Sequence, residues 1–288
     1  MLSIINNLSR ASLLKHSHKI LLRSLSSPPD DDTSASSQPS CDVVQGPNLL
    51  RTSAARPSPS LMLLPGLRSL PFWTSPDNTR IAYGDPMVNH VVEHLQKNAD
   101  LIRTEYLERQ NEESNKLPPT NDYHDHQKSL HEGKWEWFSY LNKGNVQGDF
   151  AFQFPKTAKV LQELRKDHLL FEGTPFGFCF FSNLHGNSSI QAHTSPMNLR
   201  LRIHLPLIVP SGQEEDDCAI RVGNMVRPWV QDKAMVLDDS YNHEVWNRTS
   251  QERVLLLVDI WHPDISLEEK KEIVGMFQQA RQDGLWKR

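Results

Sequence analysis

From Leu199 to Val209 the chain alternates: Leu199, Leu201, Ile203, Leu205, Leu207 and Val209 are aliphatic, and Arg200, Arg202 and His204 stand between them. Successive side chains of a β-strand point to opposite faces. The pattern therefore predicts a strand with one core face and one face carrying two guanidiniums and an imidazole. Such a face either meets solvent, as on an ordinary half-exposed strand, or borders a polar interior. A second run, Val254 to Ile260, reads VLLLVDI and predicts a strand buried on both faces. Arg253 stands at its mouth. A buried arginine needs an anionic partner, and its planar fork suits a carboxylate. That carboxylate belongs either to an Asp or Glu of the chain or to a ligand.

The remaining pattern places helices first and strands after. Order begins near Leu61, with LMLLPGLRSLPFW. Val88, Val91, Val92, Leu95, Ala99, Ile102 and Tyr106 recur at three- and four-residue spacings and predict one helix over Pro86 to Arg109. Asn111 to Gln127 is a polar loop, and Gly133 to Tyr140 is rich in aromatics. A second helix is predicted over Thr157 to Lys166, after Pro155. From Phe176 onward short strands follow: GFCFFSNL, LRLRIHLPLIVP, CAIRV, KAMVLDD, HEVWN and RVLLLVDIWHP. Ser266 caps a final helix, with Glu268 and Glu269 in its first turn. This order predicts a mainly β protein, an antiparallel sandwich or barrel buttressed by flanking helices. The sequence has no Gly-rich phosphate loop, no GxSxG and no HExxH.

Composition narrows the function. At 288 residues the chain holds one large domain or two small ones. A net charge of −4 leaves no electrostatic footprint for nucleic acid. No apolar run reaches the roughly 20 residues of a membrane helix, so no integral membrane segment is expected. Three cysteines, Cys41, Cys179 and Cys218, are too few and too scattered for a disulfide framework. Residues 1–29 carry Arg10, Lys15, Lys19 and Arg23 with several serines and no acid. That is the composition of an organelle transit peptide, mitochondrial above all, or of an unfolded N-terminus. Without a transit signal the expected place is the cytoplasm. A Pro/Ser linker follows, so residues 1–60 precede one domain over residues 61–288.

Three motifs in order, AHTSPMNLRLRIHLPLIVP, LDDSYNHEVWN and ERVLLLVDIWHP, carry a resemblance. They resemble the aspartyl/asparaginyl β-hydroxylase family of iron(II)- and 2-oxoglutarate-dependent dioxygenases, strongest from Phe180 to Pro263. The resemblance implies a double-stranded β-helix, a jelly-roll core of cupin type. It implies iron(II) as metal, with 2-oxoglutarate and O2 as co-substrates. His193 matches the first metal-binding histidine and His243 the second. Arg253 matches the arginine that pairs with the distal carboxylate of 2-oxoglutarate. Ser182, Arg202 and His204 match further co-substrate contacts. Arg200 shares the polar strand face and either binds a substrate carboxylate or forms a salt bridge. The carboxylate usual two residues after the first histidine is absent, and Ser195 stands there. Asp238 and Asp239 either orient His243 or close a turn. Trp229, Trp246 and Trp261 read as core, and His262 as structural. The expected substrate is an Asp or Asn residue in a protein or peptide. The alternatives are a small molecule or lipid, or a non-catalytic binding module of the same fold.

Overall fold

A computed structural model describes residues 56–111 and 130–284 of the chain. The possible transit segment, Cys41 and most of the polar Asn111 to Gln127 loop lie outside the described residues.

Two helices, α1 (Pro86–Lys97) and α2 (Ala99–Asn111), open the domain where the pattern predicts one. The Asp85 carboxylate starts α1 by accepting from the Met87 and Val88 N–H groups, and Pro86 takes the first helical position. Asn98 ends it. Its backbone N–H turns to the Leu95 carbonyl and its side-chain amide donates to the His94 carbonyl at 2.8 Å. Local amide bonding of this kind competes with the helical ladder, and periodicity does not register it.

Strands β1 (His131–Glu132), β2 (Trp135–Asn142) and β3 (Asn145–Val146) come next. They are followed by helices α3 (Gly148–Gln153) and α4 (Pro155–Lys166). The remaining strands are β4 (Cys179–Leu184), β5 (Ser188–His193), β6 (Arg200–Ile208), β7 (Cys218–Val222), β8 (Met225–Pro228), β9 (Met235–Leu237), β10 (His243–Asn247) and β11 (Arg253–Trp261). Helix α5 (Leu267–Gln282) closes the domain on the predicted cap: Ser266 and Glu269 exchange side-chain-to-backbone bonds in both directions.

The strands form two antiparallel sheets, one in the order β1-β5-β10-β7-β8, the other β3-β2-β4-β11-β6-β9. Two apolar layers follow from strand alternation. Val254, Leu256, Val258 and Ile260 of β11 join Leu201, Ile203, Leu205 and Leu207 of β6 against Val88, Leu95, Ile102 and Leu161 of the helices. Leu255 and Leu257 point the other way, toward Ile220, Val222 and Val245 of the smaller sheet. β11 is thus buried on both faces, as its composition predicts. The polar face of β6 does not meet solvent. Arg200 and His204 are buried, and Arg202 is half-buried, in the space between the sheets. A mainly β, double-stranded β-helix with flanking helices is the result.

Candidate active site

β5 ends and β10 begins on histidine, and the two residues are register partners across the antiparallel pair. Their imidazoles therefore leave neighbouring strands side by side, with ring centroids 4.1 Å apart. Each ring bonds through Nδ1 to the backbone carbonyl two residues back: His193 to Gln191 at 2.7 Å, His243 to Tyr241 at 2.9 Å. In a neutral ring this puts the proton on Nδ1 and leaves the Nε2 lone pair free, the arrangement of a metal-ligating histidine with its orienting partner. Burial keeps both rings neutral. His243 is pulled down to about 3 by desolvation and then by His193, and His193 is lowered by desolvation.

Four charges close the interior beside them. Arg202 Nε and Nη2 make a two-pronged pair with Asp259 at 2.8 and 3.0 Å, and its Nη1 lies 3.3 Å from Asp239. Arg200 reaches Asp239 at 2.6 Å and Asp259 at 2.8 Å, and also donates to the Phe176 carbonyl. Two cations and two anions balance. Burial alone would lower the Arg202 guanidinium and raise the Asp239 carboxyl; the ion pairs reverse both shifts.

Arg253 is a different case. It is 1% exposed, and among the described residues no Asp or Glu pairs with it. Nη2 donates to Ser182 Oγ at 3.2 Å, the guanidinium carbon sits 4.8 Å from the Trp229 ring centroid, and Nε has no partner. Desolvation lowers its pKa to about 10, which still leaves it charged at neutral pH. Ser182 also accepts from Trp135 Nε1 at 2.9 Å. An uncompensated, buried guanidinium with an unused N–H is a seat for an anion.

The site residues expected from sequence thus fall into two sets. His193, His243, His204, Ser182 and Arg253 border the interior. Arg200, read as a candidate for a substrate carboxylate, is 3% exposed and saturated by Asp239, Asp259 and Phe176, which is its salt-bridge alternative. Arg202, expected on the co-substrate, spends its fork on Asp259. Asp239 holds these arginines rather than His243, whose orienter is the Tyr241 carbonyl. Asp238 closes a turn on Ser240 and Ser69, its carboxyl pushed up to about 7 by burial. His262 is structural, bonded to the Arg68 carbonyl at 2.9 Å and packed edge-on against Trp73. Trp246 is half-exposed rather than core, its Nε1 on the Asp216 carbonyl.

The donor set decides how a metal fits. Among the described residues no group of three or more His, Cys, Asp and Glu side chains is placed to hold an ion. Ser195 Oγ donates to the Met197 carbonyl at 2.7 Å and accepts from its N–H, so it belongs to its own turn. Two neutral imidazoles remain, and a divalent ion there needs oxygen donors from elsewhere. Water or a chelating anion would have to supply them. Ser195→Ala is accordingly expected to keep iron(II) affinity within about threefold of wild type and to cost roughly 1–2 kcal/mol of stability, the worth of its two turn hydrogen bonds. Metal titration and thermal melting check both numbers.

The jelly roll thus encloses two histidines at facing strand ends and a buried arginine that has no acidic partner among the described residues. The family model for aspartyl/asparaginyl beta-hydroxylase matches residues 96–263, and the chain belongs to that family. The aspartyl/asparaginyl beta-hydroxylase of Mus musculus is 30% identical over 215 residues, 74% of this chain and 26% of that protein. The chain therefore spans about a quarter of that relative's length. The ornithine lipid ester-linked acyl 2-hydroxylase of Rhizobium tropici is 32% identical over 170 residues, 59% of this chain and 56% of that protein. Among solved structures, a prolyl hydroxylase from Trichoplax adhaerens, in complex with a hypoxia inducible factor peptide, matches with a TM-score of 0.37 at 12% identity. That match covers 68% of this chain and 98% of the other.

Proposed function

We propose that this chain is an iron(II)- and 2-oxoglutarate-dependent dioxygenase that hydroxylates an unactivated carbon of Asp or Asn residues in a protein or peptide. The observation that carries it is Arg253, charged, buried and, among the described residues, without a carboxylate partner, in the same interior as two neutral imidazoles whose Nε2 atoms make no hydrogen bond there. His193 and His243 would hold the metal. Arg253 and Ser182 would receive the distal carboxylate of 2-oxoglutarate in a charge-assisted fork. The Arg200–Arg202–Asp239–Asp259 quartet stiffens the wall beneath, and Leu255, Leu257 and Trp229 keep the subsite dry. Iron(II), when bound, supplies the dioxygen activation that no side chain provides. The balance is one R–H, one O2 and one 2-oxoglutarate consumed, and one R–OH, one succinate and one CO2 formed.

A second reading, hydroxylation of a lipid acyl group or small molecule, is supported by the identity to the Rhizobium tropici lipid hydroxylase. One experiment separates the two. Protein with iron(II) and 2-oxoglutarate is offered peptides and lipids, and products are read by mass for a gain of one oxygen. Gain on peptides supports the first reading, and gain only on lipids the second. Absence of succinate formation under every condition leaves a binding module of the same fold. The basic, acid-free residues 1–29 further support residence in an organelle, the mitochondrion first. A fluorescent fusion of residues 1–60 is expected to reach it, and diffuse cytosolic signal would refute this.

A further inference from the structure

Trp229 is buried at 3% exposure and sits directly after β8, where composition makes it one more core aromatic. Its two contacts are not those of a core filler. The ring lies 4.8 Å from the Arg253 guanidinium carbon, and Nε1 donates to His204 Nδ1 at 3.3 Å. An indole N–H only donates, so His204 must accept at Nδ1. His204 is held neutral by burial first and then by Arg253 and Arg202. A neutral imidazole that accepts at Nδ1 carries its proton on Nε2. His204 makes no other hydrogen bond among the described residues. One residue thus touches both groups that border the anion subsite from β6 and β11.

We propose that Trp229 is a positioning residue of the co-substrate subsite, stacking Arg253 and locking His204 as the Nε2–H tautomer so that both present N–H donors to the anion. The inference rests on the co-substrate reading given above and extends it to a residue outside the three motifs. Its physical content is tautomer selection. Two neutral tautomers of imidazole are close in energy, and the Nδ1–H form would turn a lone pair, not a proton, toward an incoming carboxylate. The Trp229 N–H removes that choice. The ring face does the same for position: cation–π attraction holds the Arg253 guanidinium carbon 4.8 Å from the indole centroid, which limits where its free N–H groups can turn. Trp229 also lines a cavity of about 250 Å³ with Val209, Cys218 and Pro228.

The test uses the full chain and two readouts. The first is the 15N resonances of the His204 ring without co-substrate, identified by their loss in His204→Gln. Wild type is expected to show a bare Nδ1 and a protonated Nε2, and Trp229→Phe a mixture of tautomers. The second is the affinity of 2-oxoglutarate for manganese-loaded protein. Trp229→Phe keeps an aromatic face and loses the N–H, for about fivefold weaker binding. Trp229→Leu loses the stack as well, for a further roughly three- to thirtyfold. Should Trp229→Leu not fold, Trp229→Phe decides alone. A wild-type His204 protonated on Nδ1, or a Trp229→Phe protein unchanged in both tautomer and affinity, overturns the proposal. If wild type binds no 2-oxoglutarate, the co-substrate reading fails, and the tautomer measurement still judges the Trp229 contact.

Discussion

Replacing His243 with alanine is expected to abolish iron(II) binding and turnover together, and His193→Ala to do the same. With two imidazoles as the candidate protein donors among the described residues, loss of one removes half of the set. Losing merely the partner of a metal ligand costs 10- to 100-fold, so loss of the ligand itself should weaken iron(II) by more than about 100-fold. Isothermal titration of each purified variant reads this directly, and near-native affinity in either would dissolve the site. His262→Ala is the control. It loses the bond to the Arg68 carbonyl and packing on Trp73, so it should melt earlier and still bind metal. His243→Ala should also change the acid response of the metal-free protein. The unfolded chain protonates this residue near pH 6.5 and the folded chain only near 3. Between those values the unfolded state holds the extra proton, so stability falls as pH drops from about 6.5 to about 3. The variant should lose that part of the slope in pH-dependent denaturation.

How much of this was legible beforehand depends on whether a signal is local. The β6 alternation and the all-apolar β11 are local, and both strands lie where their patterns put them. The bonds that give the polar face its meaning are not local. Arg202 meets Asp259 across the β6–β11 register, and Arg200 meets Asp239 from a different part of the chain. Asp259 did carry a signal: one carboxylate inside VLLLVDI has to be paired when buried, and two arginines on a neighbouring strand are its natural partners. β5 was missed because SSIQAH holds a single large aliphatic, and β8 because MVRP ends on proline. Trp229 reads as core from composition and is core by burial. Only the fold brings its N–H to His204 and its face to Arg253. The break at Asn98 was hidden in the same way, since Asn at a helix interior position and Asn as a cap leave the same apolar periodicity.

Arg253→Met should weaken 2-oxoglutarate by roughly 10- to 100-fold, the worth of a charge-assisted pair of about 1.5–3 kcal/mol, while leaving metal binding in place. The same substitution should raise, or at least not lower, the melting temperature of the protein without co-substrate. A buried guanidinium lacking a carboxylate is a desolvated charge with one hydrogen bond to Ser182 and an idle Nε. Methionine fills similar space without that cost, since a buried charge is unfavourable unless it is paired. Arg202→Met should behave in the opposite way. It leaves Asp239 and Asp259, 1% and 0% exposed, to share Arg200 alone, and breaking such a buried pair costs about 3–5 kcal/mol. Two arginines in one interior therefore predict melting shifts of opposite sign, because one already has its anion in the fold and the other is kept for a ligand. Thermal melts of both variants, with and without 2-oxoglutarate and manganese, measure this. An Arg253→Met protein that melts as early as Arg202→Met would show that Arg253 has a structural anion after all, and the subsite would lose its charge argument.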